Sequence, residues 1–246
     1  MRLAAALALL ALTLAGCESS QEKSAKIEKV VKREAKQDAA RKALAQRSLT
    51  ITHGSTKIEV TSTTVLHSSE GTAALVTLRN LSATAQRDVP IQITVKSTSG
   101  APLYINNTPG LAPALVSMPL LPAHATLTWI DDQVQASGTP ASVSAKVGEG
   151  QATSGALPKL SVQGAQLIEG GAAGPEVEGS IVNRSSVGAR AVVVYAVARR
   201  TGAIVAAGSA VVPQVEAGAS EHFQAFLIGS AKGARLEVSA APSSLG

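Results

Sequence analysis

From Val89 to Val95 the chain sets an apolar residue at every second position: Val89, Ile91, Ile93 and Val95 alternate with Pro90, Gln92 and Thr94, and a Ser99-Gly100 turn follows. Side chains of a strand point alternately to the two faces of its sheet, so this segment puts one face on a core and the other toward water, as antiparallel sheets do. Shorter runs of the same kind recur in KIEV from 57, ALVTLRN from 74, ATLTWI from 125 and SVSAKV from 142. Short strands at this spacing, separated by turn residues, predict a β-sandwich.

The pattern occurs twice. LVTLRNLSATAQRDVPIQITVKSTSG from 75 aligns with VEGSIVNRSSVGARAVVVYAVARRTG from 177, pairing Asn80-Leu81-Ser82 with Asn183-Arg184-Ser185 and Gly100 with Gly202. Further on, LLPAHATLTW from 120 aligns with QVEAGASEHF from 214, which pairs Trp129 with Phe223. The offset is 103 at the Asn, 102 at the Gly and 94 at the aromatic residue, so the first copy carries about eight more residues between Gly100 and Leu120. Between the copies, GEGQATSGALPK (148–159) is small, polar and glycine-rich, the composition of a linker. The expected organisation is therefore one sandwich over 49–147, a linker over 148–159 and a second sandwich over 160–246.

The pattern before Ser48 differs. Residues 21–48 contain no Gly or Pro and are dense in Lys, Glu, Ala, Arg and Gln, which are good helix formers. Glu22-Lys26, Glu28-Lys32 and Asp38-Lys42 are acid-to-base pairs four residues apart in the favourable order. They predict a helical stalk about 40 Å long at 1.5 Å per residue. The formal charge of the chain, +5, resides there: residues 21–47 hold nine Lys or Arg against four acids, whereas 48–246 hold 12 of each sign. Three readings of the stalk stand: a solvated spacer, a basic face (Lys26, Lys29, Lys32, Arg33, Lys36) lying on an anionic surface, or a short coiled-coil seam along Ile27, Val31, Ala35 and Ala39.

Ahead of the stalk, Met1-Arg2 is followed by a run of Leu, Ala and one Thr from Leu3 to Leu14. A membrane span needs about 20 such residues, whereas a positive start and a short apolar core describe a secretory signal segment. Leu14-Ala15-Gly16-Cys17 then contains the single cysteine of the chain. This order resembles the lipobox of bacterial lipoproteins. The resemblance implies cleavage between Gly16 and Cys17, acylation of Cys17 with fatty chains such as palmitate, and a mature protein of residues 17–48 as lipidated N-terminus and stalk followed by the sandwiches. Two or three acyl chains hold a protein on a membrane stably where one does not. The expected location is the extracytoplasmic face of the cell envelope. Because Glu18 stands where many such proteins retained at the inner membrane have Asp, the outer membrane is expected if the host has two.

The order of each repeat (strand, N-x-S turn, alternating strand, Gly turn, strand, small-residue turn, aromatic strand, last strand) resembles the Ig-like and fibronectin-like modules of bacterial surface lipoproteins. It is most similar to the type called FxLYD. Tyr195-Ala196-Val197-Ala198-Arg199 before Gly202, and Ile93-Thr94-Val95-Lys96-Ser97 before Gly100, occupy the place of its defining strand and keep its inward apolar pair without its Tyr-Asp end. The expected fold class is thus mainly β, two tandem Ig-like β-sandwiches preceded by a signal segment and a charged helical stalk.

Residues that carry chemistry are sparse. His53, His67, His124 and His222 show no metal-ligand spacing, and no second cysteine completes a zinc site. Asp131-Asp132, the acidic pair behind the Trp129 strand, lacks the further oxygen donors of a calcium loop. There is no GxSxG elbow, and the only thiol is assigned to lipid. Five aromatic residues, Tyr104, Trp129, Tyr195, Phe223 and Phe226, leave little for a stacking platform. With a neutral globular part, this argues against nucleic acid and sugars. Asn80, Asn106 and Asn183 match the glycosylation acceptor pattern, but Asn also suits the turn behind a strand. No cofactor, metal, small-molecule substrate or catalysis is expected.

The insertion APLYINNTPGLAPALVSMPLLP (101–122) admits two readings. It is an edge segment of the first sandwich, or a loop that presents Tyr104, Leu111, Leu115 and Met118 to a protein partner. The lipobox resemblance and the absence of catalytic motifs together imply a lipid-anchored envelope protein that acts as a non-catalytic interaction or spacer module. A wall-polymer binding protein using the stalk and an accessory subunit of an envelope enzyme or transport complex are the alternatives.

Overall fold

The computed structural model describes residues 49–153, 157–171 and 174–245. The expected signal segment, Gly16, Cys17 and the expected stalk, including Lys26, Lys29, Lys32, Arg33 and Lys36, lie outside them. The described chain is mainly β and antiparallel throughout. The first repeat contributes β1 (Ile58–Ser68), β2 (Gly71–Asn80), β3 (Ala85–Lys96), β4 (Pro102–Ile105), β5 (Ser117–Leu121), β6 (Thr126–Asp131), β7 (Ser142–Val147) and β8 (Gln151–Thr153). The second contributes β9 (Leu160–Gly171), β10 (Gly174–Asn183), β11 (Ala189–Arg200), β12 (Ala203–Val215), β13 (Ser220–Phe226), β14 (Ile228–Gly229) and β15 (Arg235–Leu245).

Each repeat has two sheets. In the first, β1-β2-β6 faces a sheet built on β3, with β4 and β5 along one edge and β7 and β8 along the other. In the second, β9-β10-β13 faces β14-β12-β11-β15. The alternation in β3 does what its period requires: Val89, Ile91, Ile93 and Val95 are fully buried, while Pro90, Gln92, Thr94 and Lys96 are half-exposed.

The register bears out the internal alignment. Val76 of β2 faces Trp129 of β6, and the matching positions in the second repeat, Gly179 and Phe223, face each other across β10 and β13. Gly179 is where the chain can carry no side chain, because a Cβ there would lie 2.9 Å from the Phe223 ring. Asp88 and Ala191, 103 residues apart, both take left-handed backbone (φ 48° and 45°), and His124 (φ 55°) does so in the turn where the second repeat has Gly218 (φ 74°).

The eight-residue excess interrupts one strand. Where β12 runs unbroken beside β11, its counterpart beside β3 is split into β4 and β5 by an excursion through a 3-10 turn, Pro113–Leu115. Asn106 fills the gap. Its Nδ2 donates to Ile91 O and Leu115 O at 2.9 Å each, and its Oδ1 accepts from Ile93 N at 2.7 Å, replacing the lost ladder bonds of β3. The excursion covers the end of the core, where Trp129 Nε1 donates to Ala114 O at 2.7 Å.

The stretch expected as a linker begins later than the composition suggests. Gly148 N donates to Pro90 O, and Gln151–Thr153 pairs with Ala85–Arg87, so residues 148–153 complete the last strand of the first repeat. The glycines serve close approach to β3: a Cβ at Gly148 would come 2.8 Å from Pro90 Cγ, and one at Gly150 would come 2.8 Å from Val89 Cγ2.

The two repeats also share apolar packing. Val193, Tyr195, Val197, Ala207, Ile228 and Ala241 of the second repeat belong to the same buried cluster as Leu75, Ile130 and Trp129 of the first. A separate cluster around Val177, Ile181, Val194 and Phe223 forms the core of the second repeat. Strand β11 is therefore covered on both faces, which is why Val192 to Ala198 is buried without a break.

Candidate functional site

The seam between the repeats is apolar and is crossed by one carboxylate, Asp132, with a second, Asp131, beside it. On the first repeat, the outward face of β2 carries Ala73 and Leu75, both buried, beside Ile130 of β6. On the second, Val193, Tyr195 and Val197 of β11 share a face with Ser209 and Ala207 of β12 and Ala241 of β15. At the rim, a Cβ on Gly71 would lie 3.5 Å from Ile228 Cδ1, ordinary van der Waals contact.

β6 ends in two carboxylates on opposite faces: Asp131 on the Trp129 side, toward Tyr104 of its own repeat, and Asp132 on the Ile130 side, in the seam. Asp131 is fully buried; its Oδ2 accepts from the Tyr104 hydroxyl at 3.1 Å and its Oδ1 from Gln133 N at 3.0 Å. Burial pushes its acid up to about 6, against the pull of these two donors and with a smaller push from the neighbouring Asp132 charge. Asp132 also has its acid raised by burial, opposed by the hydrogen bonds it accepts from Ser209. Those bonds cross the seam: Asp132 Oδ2 accepts from Ser209 N at 2.6 Å and from Ser209 Oγ at 2.9 Å.

Two tyrosines complete the cluster. Burial, and then the Asp131 charge, push the Tyr104 hydroxyl above its ordinary range. Tyr195 is 1% exposed, its hydroxyl has no hydrogen-bond partner among the described residues, and burial followed by the Asp132 charge raises its acid well above the usual value. Both hydroxyls therefore stay protonated. The cluster can donate and accept hydrogen bonds and hold a proton on Asp131. Among the described residues no group of three or more His, Cys, Asp or Glu is arranged to hold a metal ion.

The four residues proposed to face a partner are not brought together on a surface. Met118 is fully buried and Leu115 is 5% exposed, so neither is presented; they seal the core under the excursion. Tyr104 is half-buried and turned to Asp131, and Leu111 is half-buried in the excursion itself. The presenting-loop reading is thus corrected to the edge-segment reading. The prolines of 101–122 break a strand while its apolar side chains stay with the core.

The three Asn of the acceptor pattern are structural. Asn80, Asn106 and Asn183 are at most 1% exposed. Asn80 Oδ1 accepts from Ser82 N and Oγ, and Asn183 Oδ1 accepts from Ser185 N and Oγ. Asn80 Nδ2 donates to Thr84 O, Leu121 O and Pro122 O, and Asn183 Nδ2 to Val187 O and Val215 O. His53, His67, His124 and His222 are exposed, with His67 Nδ1 sharing a hydrogen bond with Thr72 Oγ1 at 2.8 Å.

The seam residues Asp132, Tyr195 and Ser209 were not candidate site residues on sequence. The available signal was the adjacent pair Asp131-Asp132 at the end of the tryptophan strand, together with the unalternating apolar run of β11. No protein-family model matches this chain, and no curated protein matches its sequence.

Proposed function

We propose that this chain is a lipid-anchored protein of the bacterial cell envelope. It is cleaved between Gly16 and Cys17, acylated on Cys17 and held on the extracytoplasmic face, where its paired β repeats act as a non-catalytic interaction or spacer module. The observation that carries this reading is Leu14-Ala15-Gly16-Cys17: the one cysteine of the chain stands directly behind a positively started apolar run of signal length. The shared packing of the repeats favours the spacer role, because two modules fused through an apolar seam hold a fixed length where modules on a flexible linker do not.

Metabolic labelling with a palmitate analogue tests the anchor. The wild-type chain is expected to take the label and partition with membranes. Cys17→Ser is expected to abolish the label and leave the uncleaved precursor. Recovery of the wild-type protein as a soluble chain with a free Cys17 thiol would overturn the proposal.

The confinement of the net positive charge to residues 21–47 favours a second contact through Lys26, Lys29, Lys32, Arg33 and Lys36 with an anionic headgroup or wall polymer. For the chain without lipid or signal segment, residues 18–246, binding to anionic vesicles that disappears at high salt supports that contact. A stoichiometric crosslinked protein would instead favour an accessory subunit of an envelope complex.

A further inference from the structure

The second repeat sorts its charge by sheet. Strands β9, β10 and β13 carry Glu169, Glu176, Glu178 and Glu221 and no Lys or Arg. On the other sheet four cations gather at the end that holds the β11–β12 turn. Arg199 and Arg200 close β11, Lys232 lies in the loop from β14 to β15, and Arg235 opens β15. Glu237 is the one acid on the described strand residues of that sheet.

Two of the cations face each other. Arg199 and Arg235 are direct partners in the β11–β15 register, so their side chains leave the same face side by side. Like charges placed in this way repel, so the pairing brings the fold no stability of its own. Arg199 Nε bonds Glu237 Oε2 at 2.9 Å, whereas Arg235 and Lys232 are exposed and hold no ion pair among the described residues. The remaining bonds at this end fix direction without neutralising charge, because they run to backbone carbonyls. Arg199 Nη1 donates to Gly202 O at 3.4 Å, and Arg200 Nη2 donates to Ser230 O at 3.3 Å and to Lys232 O. The first repeat builds the same end without this feature. Arg199 and Arg200 correspond to Lys96 and Ser97 (offset 103), and Lys96 stands opposite Ser142 where Arg199 stands opposite Arg235. The shared fold therefore does not require the arginine pair.

We infer that this end of the second repeat binds a phosphate group, carried by a lipid headgroup or by a phosphate-bearing polymer. Two adjacent guanidinium groups present forks of N–H donors that match phosphate oxygens, and an anion between them replaces their mutual repulsion with attraction to a shared charge. Arg200 and Lys232 raise the local potential further. The inference concerns the second repeat alone and stands whether or not Cys17 is acylated.

Nitrogen-15 NMR of the chain without lipid or signal segment, residues 18–246, tests it by titration with inorganic pyrophosphate and, separately, with phosphatidylcholine bicelles with and without phosphatidylglycerol. The backbone signals of Arg199, Gly202 and Arg235 and the guanidinium signals of the two arginines are expected to shift together and saturate with pyrophosphate, but not with sodium chloride at the same ionic strength. A matching shift that appears only on the bicelles with phosphatidylglycerol supports a headgroup as source, and a shift with pyrophosphate alone supports a polymer. Arg199→Lys/Arg235→Ser, which installs the residues of the first repeat, is expected to weaken the saturating shift roughly tenfold. Arg235→Ser alone, a change at an exposed position, is expected to weaken it too and is read if the double variant does not fold. Shifts confined to residues 21–47, shifts that chloride reproduces, or variants that bind as wild type does overturn the inference.

Discussion

Asp132 at the end of β6 binds Ser209 of β12 twice through one carboxylate oxygen, at 2.6 Å from the backbone N and 2.9 Å from the hydroxyl, across 77 residues of sequence. This is a directional bond between the repeats across a mainly apolar seam that also buries the Tyr195 hydroxyl. Asp132→Ala leaves Ser209 N without its acceptor in a half-buried place. It should destabilise the protein by about 1–3 kcal/mol in urea unfolding, while Ser209→Ala, which removes only the hydroxyl, should cost about 1 kcal/mol.

Asp131 makes stability depend on pH in the opposite sense to a salt-bridged carboxylate. Its folded-state acid is raised to about 6 by burial, whereas the unfolded chain loses the proton near 3.8. Between those values unfolding releases a proton, so the contribution of Asp131 is most favourable at low pH and is lost as pH rises through about 6. Asp131→Asn holds no charge at any pH, keeps its oxygen as the acceptor for Gln133 N and turns its amide NH2 toward the Tyr104 oxygen, which can accept. It should match wild type at about pH 3 and be more stable by about 2–3 kcal/mol at pH 7, measured as the difference between the two urea midpoint curves across pH. A difference that does not change with pH would sink this account of Asp131.

How far the sequence carries depends on whether a feature leaves a local mark. The β class, the repeat, the Trp129–Phe223 equivalence and the turn at His124 are legible because each is a period, a turn residue or an alignable position. The seam is harder to read. Its signal is a failure of alternation, in Val192 to Ala198 and in Ala73 to Val76, where residues that ought to meet water are apolar. That failure says a second surface is covered but not by what. The excursion of 101–122 misleads for a related reason: prolines and apolar residues together describe both a presented loop and a broken strand, and only the hydrogen bonds of Asn106 and Trp129 decide between them. Residues 148–150 read as linker because glycine marks flexibility and close approach alike.

The N-x-S turns should prove equally costly in both repeats. Each Asn is buried and ties a strand end to two or more backbone carbonyls while its Oδ1 caps the following turn. Asn80→Ala and Asn183→Ala each strand several buried backbone groups and should lose about 2–4 kcal/mol. Ser82→Ala and Ser185→Ala, which keep the Asn bonds to the main chain, should lose about 1 kcal/mol. Chemical denaturation of the four variants orders them. An Asn substitution no worse than its Ser neighbour would show that the amide does not hold the turn.

Tyr195 offers the reverse case, a substitution that should stabilise. Its ring fills the seam, but its hydroxyl is buried without a hydrogen-bond partner among the described residues and within the field of the Asp132 carboxylate. Burying an unpaired hydroxyl costs free energy that the ring's packing must offset. Tyr195→Phe keeps the ring and removes the polar atom, so it should raise stability by about 1 kcal/mol, seen as a higher midpoint at an unchanged denaturant slope. Tyr195→Ala removes the ring as well and should cost about 3–5 kcal/mol by opening a cavity between the repeats. If Tyr195→Phe is destabilising, the hydroxyl has a partner in solution and the seam is wetter than its packing indicates. In that case the gain should instead come from a larger apolar residue at Ala207 or Ala241, which line the same face.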